Sequence, residues 1–176
     1  MSNSYLWISI CFVAILWSCE TFDPNVDQAG EDEFKALEVD QDINEADQKF
    51  SDVMYVPIYS DIYFDHQNQK VLLAATLSIR NTSYSDSLYI SKIDYFETGG
   101  DLVRSYIERP INLPPMATVN YVIEKDDDTG GPGANFIVEL SSTSKDIRPL
   151  IQAVMVGETG NKGFAFATDA YSLKKR

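Results

Sequence analysis

The chain has 176 residues, with 27 Asp and Glu against 14 Lys and Arg for a net charge of −13, and it contains one histidine and two cysteines. An acidic balance with no basic stripe argues against a surface that tracks phosphates, so nucleic acid is not an expected partner. One histidine and so few thiols also exclude a structural zinc site of histidine and cysteine ligands.

The first element is an apolar run, Tyr5 to Trp17, uncharged and 13 residues long. That suits a signal-peptide core and falls short of the ~20 residues that span a bilayer. It ends in Leu16-Trp17-Ser18-Cys19, which resembles the lipobox of bacterial lipoprotein precursors, with leucine three before the cysteine and a small residue directly before it. The resemblance implies cleavage after residue 18, lipid on the Cys19 thiol, and anchorage to a bacterial membrane in the cell envelope. Trp17 is bulkier than the usual residue there, and residues 1–4 supply no lysine or arginine. An uncleaved anchor helix and a buried helix of a soluble protein are the competing readings. Cys11, the other cysteine, would leave with the leader, so no disulfide is expected within the mature chain. Each acyl methylene buried in lipid contributes about 0.8 kcal/mol, so several chains would make the anchorage durable.

Residues 19–52 form the next unit. Twelve of the 27 acids fall between Glu20 and Asp52, against Lys35 and Lys49 alone. So few apolar residues cannot offset the cost of ordering, and like charges repel, so the composition predicts a disordered tether about 30 Å in root-mean-square span. A marginal amphipathic helix through Phe34, Leu37, Ile43, Ala46 and Phe50 is the alternative.

From residue 53 to 172 short apolar runs alternate with turn residues. Leu73, Ala75, Leu77 and Ile79 alternate with Ala74, Thr76, Ser78 and Arg80, the period of a strand with one buried and one wet face. Further strands are expected over Met54 to Ser60, Leu88 to Phe96, Leu102 to Glu108, Thr118 to Glu124, Ala134 to Leu140, Ile151 to Gly157 and Gly163 to Thr168, which makes eight. Glycine and proline mark the breaks at Gly99-Gly100, Pro114-Pro115 and Gly130 to Gly133. The expected fold is all-β, an antiparallel β-sandwich of immunoglobulin-like type, with a small closed barrel as the alternative. Pro57 removes a ladder donor and predicts an edge position or a bulge near Val56 to Ile58.

The segments YVPIYS (55–60), ATLSIRNT (75–82) and GGPGANFIVE (130–139) resemble a bacterial domain-of-unknown-function family found on secreted and lipidated proteins. The resemblance covers nearly all of residues 53–168 and implies no activity, cofactor or site residue.

Chemistry-bearing candidates are few. Asp126, Asp127 and Asp128 precede a glycine-rich turn, a combination that suits a hard cation such as Ca²⁺, although the spacing is not that of an EF-hand. A solvated connection is the competing reading. Tyr55, Tyr59 and Tyr63 lie at near-alternate positions, where an aromatic edge would stack on a sugar or an apolar patch, or merely pack as strand residues. His66 falls in a polar run that reads as a hairpin turn, and no Gly-x-Ser-x-Gly elbow accompanies it. No catalytic residue and no cofactor is assigned. The expected function is therefore a non-catalytic module binding a protein or glycan of the cell envelope. The alternative is a carboxylate-dependent hydrolase of envelope carbohydrate drawing on Asp61, Asp65, Asp94, Asp101 and the Asp126 to Asp128 run, which would need two acids in one cleft.

Overall fold

The computed structural model describes residues 35–40, 43–63 and 69–174; Cys19, the segment expected to be a leader, Asp65 and His66 lie outside them. Eleven strands occur among the described residues: β1 (Phe50–Pro57), β2 (Asp61–Tyr63), β3 (Lys70–Arg80), β4 (Leu88–Phe96), β5 (Leu102–Ser105), β6 (Ile111–Leu113), β7 (Thr118–Ile123), β8 (Asn135–Ser142), β9 (Leu150–Thr159), β10 (Lys162–Asp169) and β11 (Tyr171–Ser172). They form two separate sheets. The first runs β11-β1-β8-β4-β5 with β6 also on β4, and the second runs β10-β9-β3-β2 with β7 also on β3. Every pairing is antiparallel. This is a β-sandwich, and the separateness of the two sheets removes the closed barrel.

The core follows the alternation. Leu73, Ala75, Leu77 and Ile79 are fully buried and face Ile93, Tyr95, Phe136 and Val138 of the first sheet within one apolar cluster. In β4 the alternation breaks, because Leu88 and Ile90 are buried and so are Ile93 and Tyr95. A bulge between Ile90 and Lys92 supplies the extra residue and returns Ile93 to the inner face. The wet face of β3 is drier than its pattern implies: Ser78 is buried and accepts a hydrogen bond from Arg80 Nε at 3.2 Å.

Three short strands, β2, β6 and β11, were not expected, since two or three residues show no periodicity. The expected strand over Leu102 to Glu108 stops at Ser105, where Tyr106 donates its amide to Ile93 O at 2.9 Å.

The boundary at residue 53 also moves. β1 begins at Phe50, and Leu37 to Val39 lie along β6, so part of the expected tether belongs to the folded unit. Phe50 and Leu37 pack against the core, which offsets their ordering.

Pro57 ends β1. Its neighbour Ile58 donates to Ala134 O on the β8 side, so the missing Pro57 donor points the other way, beyond β11, which pairs only with Met54 and Tyr55. β1 is one strand in from the edge, and the β1–β8 register is unbroken from Phe50 to Pro57, without the expected bulge. The Pro57 carbonyl is taken by the Thr168 hydroxyl.

Candidate functional site

The polar side chains that sequence alone left scattered converge at one end of the sandwich. There the connection after β1, the β4–β5 turn and the glycine-rich segment before β8 meet.

Ser60 and Tyr95 are both fully buried, with Oγ and OH 2.8 Å apart. Burial raises the Tyr95 phenol above its ordinary range despite that bond, so the hydroxyl stays neutral. Gly130 lies directly against the pair: a Cβ there would overlap Tyr95 OH and stand 2.6 Å from Ser60 Oγ. Gly131 takes a left-handed φ of 70°. The segment is then fastened from two directions. Thr98 donates its amide (2.9 Å) and hydroxyl (2.8 Å) to Gly130 O, while Thr98 Oγ1 accepts from Gly133 N at 2.9 Å. Ser60 N donates to Gly131 O at 3.1 Å. The glycines serve close approach between backbone and side chains, and the cradle they make is filled by the protein's own Tyr95 and Thr98.

On the outer face of the β2–β3 hairpin the register sets three more groups. Asp61 stands opposite Leu72 and Tyr63 opposite Lys70, so Asp61 and Lys70 are diagonal neighbours on one face. Lys70 Nζ lies 2.8 Å from Asp61 Oδ2 and 5.8 Å from the centre of the Tyr63 ring. The Asp61 hydrogen bond is the main cause that raises the lysine pKa, with Asp128 adding a smaller pull. Asp61 is buried, and its Oδ1 has no hydrogen-bond partner. What solvent meets is an ammonium and a ring: Lys70 is 45% and Tyr63 57% exposed. A lysine held charged beside an aromatic face is suited to recognition, whereas general-base chemistry needs an amine that readily loses its proton.

The tyrosines do not make one aromatic edge. Tyr55 lies in β1 of the first sheet, paired with Ile137 and Tyr171, and Tyr63 lies in β2 of the second. Tyr59, between them, packs its ring against Phe166 at 5.8 Å. The chain crosses from one sheet to the other within these nine residues, which separates what the spacing had aligned.

The Asp126 to Asp128 run is engaged locally. Asp127 Oδ1 accepts from Thr129 N at 3.1 Å and from the Thr129 hydroxyl, closing a local turn, while Asp126 and Asp128 stay exposed. Among the described residues no group of three His, Cys, Asp or Glu side chains is placed to hold a metal. The other acids are dispersed. Asp94 accepts from Ser105 Oγ at 2.7 Å on the first sheet, Glu139 pairs with Lys92 at 2.7 Å, and Glu158 with Lys125 at 2.6 Å. The Glu158 carboxyl is held below its usual range by Lys125, the direction opposite to that of a general acid. Asp101 sits in the β4–β5 turn, its amide donating to Glu97 Oε1 at 3.2 Å.

One surface was not anticipated at all. Residues directly opposite in an antiparallel ladder share a face, and Val122, Thr76, Val154 and Ala167 form one row across β7, β3, β9 and β10, with Ala74, Val156 and Ala165 in the next. Val156 is 52%, Val122 48% and Val154 40% exposed. Polar pairs rim this outer face: Lys125–Glu158 at one end and Gln152–Asp169, at 2.8 Å, at the other. The alternation of β9 carried the signal, because valine occupies positions where a half-wet strand would carry polar residues.

The fold is thus that of an all-β, two-sheet antiparallel sandwich, in which the buried Ser60 helps to hold connections together. Residues 51–173 match the model of DUF3124, a family described as protein of unknown function, and the chain belongs to that family. Among curated proteins none matches it. A solved structure, "Crystal Structure of Thermotoga maritima 1070", is a distant likeness at 12% identity and a TM-score of 0.41, covering 68% of this chain and 92% of that one.

Proposed function

We propose that this protein is a cell-envelope lipoprotein, anchored through Cys19, that displays a non-catalytic β-sandwich for binding a protein or glycan of the envelope. The observation that carries the binding role is the outer face of the second sheet, where Val122, Val154 and Val156 stay exposed within a polar rim. Contiguous apolar surface of this kind has a cost in water that a partner removes, and a rimmed patch is the usual anatomy of an interface. The face favours a protein over a sugar, since it offers flat aliphatic area and few hydrogen-bonding groups. The address is supported by the lipobox-like Leu16 to Cys19 at the end of an uncharged run. A non-catalytic role is supported by the engagement of Asp61, Asp94, Glu139 and Glu158 with neighbouring side chains.

Metabolic labelling with a fatty-acid probe tests the address. Label is expected on the wild type and absent from Cys19→Ala; an unlabelled wild type overturns the anchor. A photo-crosslinking residue at position 154 tests the face, with position 94 on the outer face of the first sheet as control. One defined adduct from 154 and none from 94 is expected, and equal yields would remove the face from the proposal.

A further inference from the structure

β6 is a three-residue strand paired with β4 on one side. Its other side presents backbone groups of the kind that accept an added strand. This edge is occupied by the protein's own acidic segment. Val39 N donates to Pro110 O and Asn112 N donates to Leu37 O, both at 2.9 Å, with Glu38 opposite Ile111 in an isolated antiparallel bridge.

The hold is slight. Among the described residues, two main-chain bonds and the partly buried Leu37 are its contacts besides charge. Arg109 is the cation against it, and its guanidinium reaches Glu38 at 3.4 Å and Asp40 at 3.7 Å while remaining largely exposed. Charge pairs at such distances in water are weak and are screened further by salt. The seat is also imperfect. Tyr89, Asn112 and Leu37 are successive cross-strand neighbours on one face, and Asn112 Oδ1 between them is buried without a hydrogen-bond partner. A polar atom left in that state favours any arrangement that returns it to water.

We propose that Leu37 to Asp40 is a releasable strap seated in a strand-accepting edge of β6, with Arg109 as its electrostatic catch. With the strap docked the chain from Cys19 first meets the sandwich at Leu37; with it released the first fixed point is Lys49, whose amide donates to Ser142 O at 3.0 Å, so the reach from Cys19 grows by at most roughly 40 Å. That consequence rests on the anchored reading above, whereas the strap itself does not.

The test is amide hydrogen exchange on the full chain, read at Val39 and Asn112, with Leu77 of β3 as the internal standard. In low salt both amides of the wild type should be protected, yet less than Leu77. Raising sodium chloride to about 0.5 M, or replacing Arg109→Gln in low salt, should speed exchange at both by about fivefold and leave Leu77 unchanged. Val39 and Asn112 exchanging as slowly as Leu77 under every condition would make the segment a fixed part of the fold. Absence of protection in the wild type at low salt would mean that it does not dock. Either result overturns the strap, and neither bears on fatty-acid labelling of Cys19, so the two proposals fail separately.

Discussion

Gly130 and Tyr95 touch so closely that the phenolic oxygen occupies the space where a side chain at position 130 would begin. Because Tyr95 OH also meets Ser60 Oγ at 2.8 Å, a single contact point joins the β4 core residue, the β1–β2 connection and the glycine segment. Gly130→Ala should therefore displace all three and destabilise the protein by about 3 kcal/mol or more. Tyr95→Phe keeps the ring contact with Phe136 at 5.3 Å and loses only the hydroxyl, for a cost of about 1–2 kcal/mol. Urea unfolding of the two variants checks the order; a Gly130→Ala protein as stable as Tyr95→Phe would contradict it.

Asn81 is a second fastening. Its buried amide donates to Asp86 O at 2.8 Å and to Leu113 O and Pro114 O at 3.0 Å, and its Oδ1 accepts from Ser83 N at 3.0 Å. Asn81→Ala leaves these main-chain groups without a partner and is expected to cost about 3 kcal/mol. Asn81→Asp should be worse at neutral pH, because a carboxylate would then face three carbonyl oxygens. Acidification that protonates the new carboxyl should recover part of the loss in thermal melts.

Removing one member of the Lys70–Asp61 pair differs from removing both. Lys70→Met strands a buried carboxylate and should lower the urea midpoint, whereas the double variant Asp61→Asn with Lys70→Met should lie closer to the wild type. A double variant less stable than Lys70→Met would show that the pair itself, and not the stranded charge, carries the stability.

Stability should fall on the alkaline side. Tyr95, Tyr106 and Tyr121 have phenols raised above 10.0, each chiefly by burial, and Lys70 is raised above 10.5 chiefly by its Asp61 hydrogen bond. A group with a raised folded pKa holds its proton more tightly when folded, so its contribution is complete below the unfolded pKa and is lost as pH rises through the folded one. The urea midpoint is expected to be flat with respect to these groups up to about pH 9 and to drop above pH 10. Ultraviolet titration should show phenols that ionise late until unfolding releases them. Ionisation of all tyrosines near pH 10 in the folded protein would refute this.

The glycines between residues 130 and 133 read as a turn in sequence, and they are one. Their close neighbours, however, are Thr98 and Ser60, distant in the chain, and no local pattern joins such positions. The Asp126 to Asp128 run and Asp61 were both candidates by sequence, but nothing in the local pattern marked Asp61 as the buried one. Solvation explains the difference. Acids crowd where water reaches them, so density marks exposure, and burial of one carboxylate is decided by which strands pair around it.

The alternation of Leu73 to Ile79, repeated at short intervals between turn residues, was sufficient by itself to require an all-β fold with one buried and one wet sheet face, whereas the choice of sandwich over closed barrel came from the separateness of the two sheets. The same local logic gives the expectation of a leader that ends at Cys19. Everything that depends on two distant segments meeting was decided by tertiary structure: the bulge that restores Ile93 to the core, the crossing that separates Tyr55 from Tyr63, the apolar outer face of β9, and the docking of Leu37 on β6. Hydrophobic period is a property of neighbours along the chain. Partnership of a hydrogen bond or a charge is a property of neighbours in space, and only the packed sheets supply those.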